Sequence, residues 1–391
     1  MTFKKIIGIT HLWLGLMSGL VVVVISLTGC IYAFQAEIQD VIQPYRFVES
    51  QNKAFLPPSI LAKIAQKQLP NKQIHAIVFG LKTNAAKVEF FHYEPTYYYG
   101  VYLNPYSGKV LKVINLNAGF FRFILDGHFY LWLPPKIGQP VVASFTLVFI
   151  IILISGIVLW WPKNKVATKQ RFKFSWKNTT QWKRKNYDLH NILGFYASFI
   201  IVILASTGLI WGFQWFANSV YWKLGGEKSM MYQDAVSNKP IAKSMISEKS
   251  IALDKVWQIM QEQYPTAQKI EVHPPETDSS SIATNATVDA SMYWKNDYRY
   301  FDQYSLRELS VNHIYGRLKD AKLADKTIRM NYDVHTGGIF GLAGKILAFF
   351  SSLIAASLPI TGFLIWWGRR KKELQSKNKV NQKSLLTTQQ I

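Results

Sequence analysis

At 391 residues the chain is long enough for roughly two or three soluble domains, but its apolar residues gather in four long blocks instead of spreading evenly. A formal net charge of +22 points at first to a polyanionic partner, yet the basic residues crowd into the N-terminus, one internal loop and the C-terminal tail, which encodes membrane topology and argues against nucleic acid. A single cysteine, Cys30, excludes a disulfide framework, a thiolate metal site and a Cys-x-x-Cys-His haem attachment motif, so any haem would be held non-covalently.

In chain order, residues 1–37 are predicted to form a first membrane helix, with an uncharged apolar run from Ile6 to Phe34. About 20 residues cross about 30 Å of hydrocarbon at 1.5 Å per residue, and this run is longer. Leu27-Thr28-Gly29-Cys30 also reads as a bacterial lipoprotein signal, which would remove the span. Against that, the third apolar block carries Thr207-Gly208 followed by Leu209, so Thr-Gly reads as a packing element of this helix type.

Residues 38–136 are predicted to be a small α+β module. An amphipathic helix begins at Pro57-Pro58-Ser59, strand-like stretches follow through Tyr99 to Leu103, and Asn104-Pro105-Tyr106-Ser107-Gly108 forms a turn. A second membrane helix is expected over 137–161, ending on Trp160-Trp161, which suit an interfacial aromatic belt. The loop 162–186 then carries nine Lys or Arg (Lys163, Lys165, Lys169, Arg171, Lys173, Lys177, Lys183, Arg184 and Lys185) and no acid. Short basic loops stay in the cytosol during insertion, so this loop and both termini are expected inside and the two long segments outside.

A third helix is predicted over 187–216 and a second α+β module over 217–338. That module is neutral overall, with fifteen basic and fifteen acidic residues. Leu253, Val256, Trp257 and Met260 mark one face of its helix. Its turn candidate, Asp302-Gln303-Tyr304-Ser305-Leu306, lacks the Pro and Gly of the first. A fourth helix over 339–368 leads into the basic tail 369–391, which opens Arg369-Arg370-Lys371-Lys372.

The four blocks share frames. His11-x3-Gly15-x12-Thr28-Gly29 matches His190-x3-Gly194-x12-Thr207-Gly208 without a gap. Ser155-Gly156-x3-Trp160-Trp161 matches Thr361-Gly362-x3-Trp366-Trp367, and each has a histidine upstream, His128 and His335. The fold class expected is therefore a mainly α membrane protein: four transmembrane helices as two parallel two-helix repeats, with two small α+β modules outside.

His11-x3-Gly15, the Asn104–Gly108 turn, Asp188-Leu189-His190 and Asp333-Val334-His335-Thr336-Gly337 occur in an order that resembles the PepSY-associated transmembrane proteins. That family includes inner-membrane ferric-siderophore reductases. The resemblance covers nearly the whole chain and implies periplasmic PepSY-like modules, a bacterial inner-membrane location, and haem held by helix histidines.

Topology places His11 and His190 at the cytosolic ends of matching helices, and His128 and His335 at the outer ends of the other two. A lone interfacial histidine is ordinarily a hydrogen-bonded amphipathic side chain. Two matched pairs instead offer the two axial imidazoles of six-coordinate haem iron, giving two b-type haems, one near each face. Pro134-Pro135 and Gly337-Gly338 are expected to break the helices that carry His128 and His335, which leaves the depth of that pair open. His75, His92, His273 and His313 share no spacing and read as surface or locally satisfied residues. Tyr97, Tyr98 and Tyr99, in a tyrosine cluster with Tyr93 and Tyr102, either stack on a substrate or pack a sheet surface.

No Walker A loop, dinucleotide fingerprint, nucleophile elbow or HExxH motif occurs, so no flavin or nicotinamide site is recognisable. Electrons would come from a separate donor, a cytosolic flavoreductase or a membrane donor. The expected function is outward electron transfer to a periplasmic ferric complex, a ferric siderophore first among them. The alternatives are a non-redox, membrane-anchored binding protein and a small transporter.

Overall fold

The structure is a computed structural model and describes residues 2–162, 168, 170–238 and 249–388. Lys163, Lys165 and Lys169 of the basic loop, and the side chains of Lys377, Lys379 and Lys383, lie outside the described residues. The helices are α1 (Phe3–Ala33), α2 (Gln35–Ile42), α3 (Pro58–Gln68), α4 (Phe120–Tyr130), α5 (Pro135–Trp160), α6 (Trp182–Gly212), α7 (Gln214–Lys223), α8 (Lys249–Gln263), α9 (Leu323–His335) and α10 (Gly341–Thr388). The strands are β1 (Ile74–Phe79), β2 (Ala86–His92), β3 (Tyr97–Leu103), β4 (Val110–Asn115), β5 (Lys269–His273), β6 (Ile282–Thr287), β7 (Asp297–Phe301) and β8 (Glu308–Leu309). The chain divides into two compact units, one of residues 1–33, 124–216 and 334–391, the other of 34–123 and 217–333.

Among its described residues the first unit holds four helical stretches long and apolar enough to cross a membrane, of 31, 26, 31 and 39 residues. Even the 26-residue one reaches about 39 Å, more than the hydrocarbon thickness. Their outward faces expose Met17, Leu20, Ile154, Phe199 and Phe350, as lipid-facing surfaces do. Inward, Val22, Phe149, Leu153, Ile201 and Ala355 form a buried core. Glycine lets α1 approach α10, because a Cβ at Gly19 would come within 3.1 Å of the Pro359 ring.

Helices α4 and α9 are short and separate from the spans that follow them. Leu131 and Trp132, at φ 54° and 58°, break the chain before Pro134, and Gly337, at φ 76°, does so after His335. The histidines at those positions therefore ride on short helices of their own.

Among its described residues the second unit carries one antiparallel sheet of eight strands, in the order β4-β3-β2-β1-β5-β6-β7-β8. The sequence points to two separate small sheets, and this is a correction. In each half one helix precedes four strands, and the first strand of each half pairs with the other across the middle, Ile77 opposite Val272 and Val78 opposite Glu271. Left apart, β1 and β5 would each expose an unpaired edge. Helices α3 and α8 cover one sheet face, burying Leu61, Ala65, Val256 and Met260 against Ile77, Val88, Val101, Val272 and Ile282. They are tied together by Ser59, whose N–H and Oγ–H donate to the Asp254 carboxylate at 2.9 and 2.5 Å.

The turn that departs from the pattern in sequence does not depart in geometry. Asn104 Oδ1 accepts from the N–H groups of Tyr106 and Ser107, and Asp302 Oδ1 accepts likewise from Tyr304 and Ser305. Leu306, at φ 59°, occupies the left-handed position that Gly108 fills at φ 73°. Such a conformation strains a side chain that carries a Cβ, and the carboxylate-capped loop enforces it here.

Beside the central seam, the His75 and His273 rings meet edge-on at 4.9 Å, and His273 Nε2 pairs with Glu271 at 3.2 Å. Burial disfavours the His273 imidazolium, but its hydrogen bond and attraction to Glu271 outweigh that and raise its pKa. A raised histidine pKa gives stability that is complete below the unfolded value of about 6.5 and is lost as pH rises through the folded value. The difference in melting temperature between wild type and His273→Gln should therefore shrink as pH rises from about 6 to 9. A difference constant over that range would remove the pair from the stability of the seam.

Candidate functional site

In the first unit, His11 of α1 and His190 of α6 face each other with ring centroids 6.5 Å apart. His190 lies in a π-helical turn, Leu189–Leu193, that interrupts α6. Such turns shift the side-chain register and recur at functional positions. Just before it, buried Asp188 accepts from Trp176 Nε1 at 3.1 Å and Arg184 Nε at 2.9 Å, which anchors the start of the helix.

His128 of α4 and His335 of α9 make a second pair, with centroids 6.0 Å apart. Along α1, the run from His11 to Thr28, which touches His128, separates the two levels by about 25 Å at 1.5 Å per residue. The structure thus brings together the histidines that the repeat frame matched.

Each histidine rests on a hydroxyl-glycine dipeptide of a neighbouring helix. His11 Nδ1 lies 2.9 Å from Ser155 Oγ, and His190 Nδ1 lies 2.9 Å from Thr361 Oγ1. His128 Nδ1 lies 2.8 Å from the Ile25 carbonyl and 3.3 Å from Thr28 Oγ1. His335 Nδ1 lies 3.0 Å from the Leu204 carbonyl and 2.9 Å from Thr207 Oγ1. The adjoining glycine makes room: a Cβ at Gly29, Gly156, Gly208 or Gly362 would meet the Cε1 of that ring at 3.1, 3.3, 3.5 or 3.2 Å.

The support is reciprocal. Helix α1 offers His11 at one level and Thr28-Gly29 at the other, while α5 supports His11 through Ser155-Gly156 and α4 supplies His128. Helices α6, α9 and α10 repeat the scheme with His190, Thr207-Gly208, His335 and Thr361-Gly362. These hydroxyls are the site residues that sequence reasoning missed. Their frame was visible, but read as helix packing.

Protonation at each ring follows from the acceptors. Carbonyl oxygens cannot donate, and the hydroxyl protons already go to carbonyls of their own helices: Ser155 to Ile152 at 2.8 Å, Thr361 to Ser357 at 2.9 Å, Thr28 to Val24 at 2.7 Å and Thr207 to Ile203 at 2.9 Å. Nδ1 therefore carries the proton in all four rings, and Nε2 keeps its lone pair.

A cavity of about 400 Å³ opens beside His11 and His190, walled by Gly15, Arg369 and the stacked rings of Trp160 and Phe195. Nothing lies within 4 Å of where a Gly15 Cβ would stand. The chamber suits a large, flat, mostly apolar ligand with an anionic group for Arg369.

The other candidates fare differently. Tyr97 and Tyr99 pack toward the helix-covered side of the sheet under the Lys72 ammonium, whereas Tyr98 on the opposite face donates to Glu89 at 3.2 Å. Alternation along β3 thus splits the trio and denies it a common surface. His92 stacks on Tyr97, and His313 is buried beside the Gln233 carbonyl, 3.1 Å from its Nε2. Among the described residues no group of three or more His, Cys, Asp or Glu is placed to hold a bare metal ion.

The family model described as PepSY-associated TM region matches residues 9–369. A search of curated proteins finds no match.

Proposed function

Because the chain belongs to the PepSY-associated TM family, a family of membrane proteins, we propose that it carries electrons outward across a bacterial inner membrane through two bis-histidine haems and reduces a ferric complex, a ferric siderophore above all. The observation that carries this reading is the pair of imidazole separations, 6.5 and 6.0 Å between centroids. Two imidazoles bound through Nε2 to one iron at about 2 Å each stand roughly 6 Å apart, centroid to centroid. The donor set fits as well, since every Nε2 is the unprotonated nitrogen and every Nδ1 has an acceptor, as in most histidine metal sites.

His11 and His190 would hold one b-type haem and His128 and His335 the other, each taking up and releasing a single electron. The chain's own residues do the rest. At the His11–His190 level the apolar walls would exclude water, Gly15 would leave room for the flat ligand, and Arg369 would meet an anionic group on it. Matching geometry in the α1/α5 and α6/α10 pairs supports two parallel repeats. The basic loop and tail support cytosolic termini, with the sheet unit in the periplasm. One electron delivered to a ferric centre converts it to Fe(II), which hard oxygen donors bind poorly, so iron is released. The electron comes from a separate cytosolic flavoreductase or a membrane donor.

Full-length protein expressed with ample haem supply and purified in detergent is expected to be red, with a Soret band that shifts and sharpens on dithionite reduction. Colourless protein would overturn the reading.

A further inference from the structure

We propose that the hydroxyls of Ser155, Thr361, Thr28 and Thr207 are positioning residues that set how strongly each histidine donates to iron, with the His11–His190 pair depending on them more than the His128–His335 pair. This rests on the haem reading above and deepens it. An imidazole that donates its Nδ1–H becomes more basic at Nε2, which favours ferric iron and lowers the reduction potential. The acceptor opposite Nδ1 is therefore a control on potential and on haem retention.

The two levels differ in what remains once a hydroxyl is removed. At His128 and His335 the carbonyls of Ile25 and Leu204 accept directly at 2.8 and 3.0 Å, so the Nδ1–H keeps a partner. At His11 and His190 the hydroxyls of Ser155 and Thr361, at 2.9 Å, carry the bond. At all four sites the carbonyl three residues before the hydroxyl accepts from it, Ser155 to Ile152, Thr361 to Leu358, Thr28 to Ile25 and Thr207 to Leu204. The levels therefore differ in the approach to Nδ1 itself: a carbonyl at 2.8 and 3.0 Å at His128 and His335, a hydroxyl at 2.9 Å at His11 and His190. Deleting a hydroxyl therefore loosens the His11–His190 level more.

The test uses full-length protein in detergent. Potentiometric titration, low-temperature electron paramagnetic resonance and haem transfer to apomyoglobin are compared for Ser155→Ala with Thr361→Val, for Thr28→Val with Thr207→Val, and for the hydroxyl-keeping Thr361→Ser. The first pair of substitutions is expected to raise one midpoint potential and speed haem loss from that site on the order of tenfold. The second pair should shift the other potential less, and Thr361→Ser should behave as wild type. Unchanged potentials and retention in the Ser155/Thr361 double variant would overturn the proposal, as would equal effects at both levels or loss of haem from both sites together. Wild-type protein without haem would sink the haem reading itself, a failure visible before any variant is made.

Discussion

Full-length protein carrying His190→Ala is expected to keep about half of the wild-type Soret absorbance, with the remainder still low-spin and bis-histidine in character. His190 and His11 face a common cavity, so on the haem reading removing either imidazole would leave the haem there with one axial ligand and a weakened hold. Residues that act as a unit are non-additive, so the His11→Ala, His190→Ala double variant should lose no more than either single one. His128→Ala should remove the complementary half and leave the first potential unchanged, because about 25 Å of helix separates the levels. Pyridine haemochrome content per protein, read with the spectra, checks this. A stepwise loss, one quarter for each histidine, would show four independent sites and end the pairing.

Membrane helices announce themselves in sequence because bilayer thickness fixes their length and lipid forbids charge on their faces. The four apolar blocks were legible for that reason, as were the breaks at Pro134 and Gly337. His11 and His190 were legible as a pair because identical spacing on two helices places them at one depth. The role of Thr28, Ser155, Thr207 and Thr361 was not, since a small residue beside glycine serves helix packing and ring support alike. Only the neighbouring helix reveals which ring stands opposite. The joined sheet was hidden for a similar reason: whether β1 pairs with β5 depends on two segments roughly 190 residues apart, and local patterning carries no such information. Leu306 concealed a turn because its left-handed backbone is imposed by the Asp302 cap, where residue type alone argues against it.

Gly15→Leu separates a glycine that serves helix packing from one that leaves space for a ligand. In a packed interface a new Cβ meets its neighbours at once, as at Gly362, where it would stand 3.2 Å from His190 Cε1. At Gly15 it would meet nothing within 4 Å and would project into the cavity beside His11. Leucine also improves helix propensity over glycine by up to about 1 kcal/mol, so the apo fold should be no less stable. The expected result is an unchanged or raised melting temperature for haem-depleted protein, together with loss of the haem held by His11 and His190 and retention of the other. Gly362→Ala should act through the ligand instead, displacing the His190 ring and shifting the potential of that haem while part of it is still bound. If Gly15→Leu keeps both haems with wild-type potentials, the cavity is not where the flat ligand sits, and Gly15 is placed for helix approach alone.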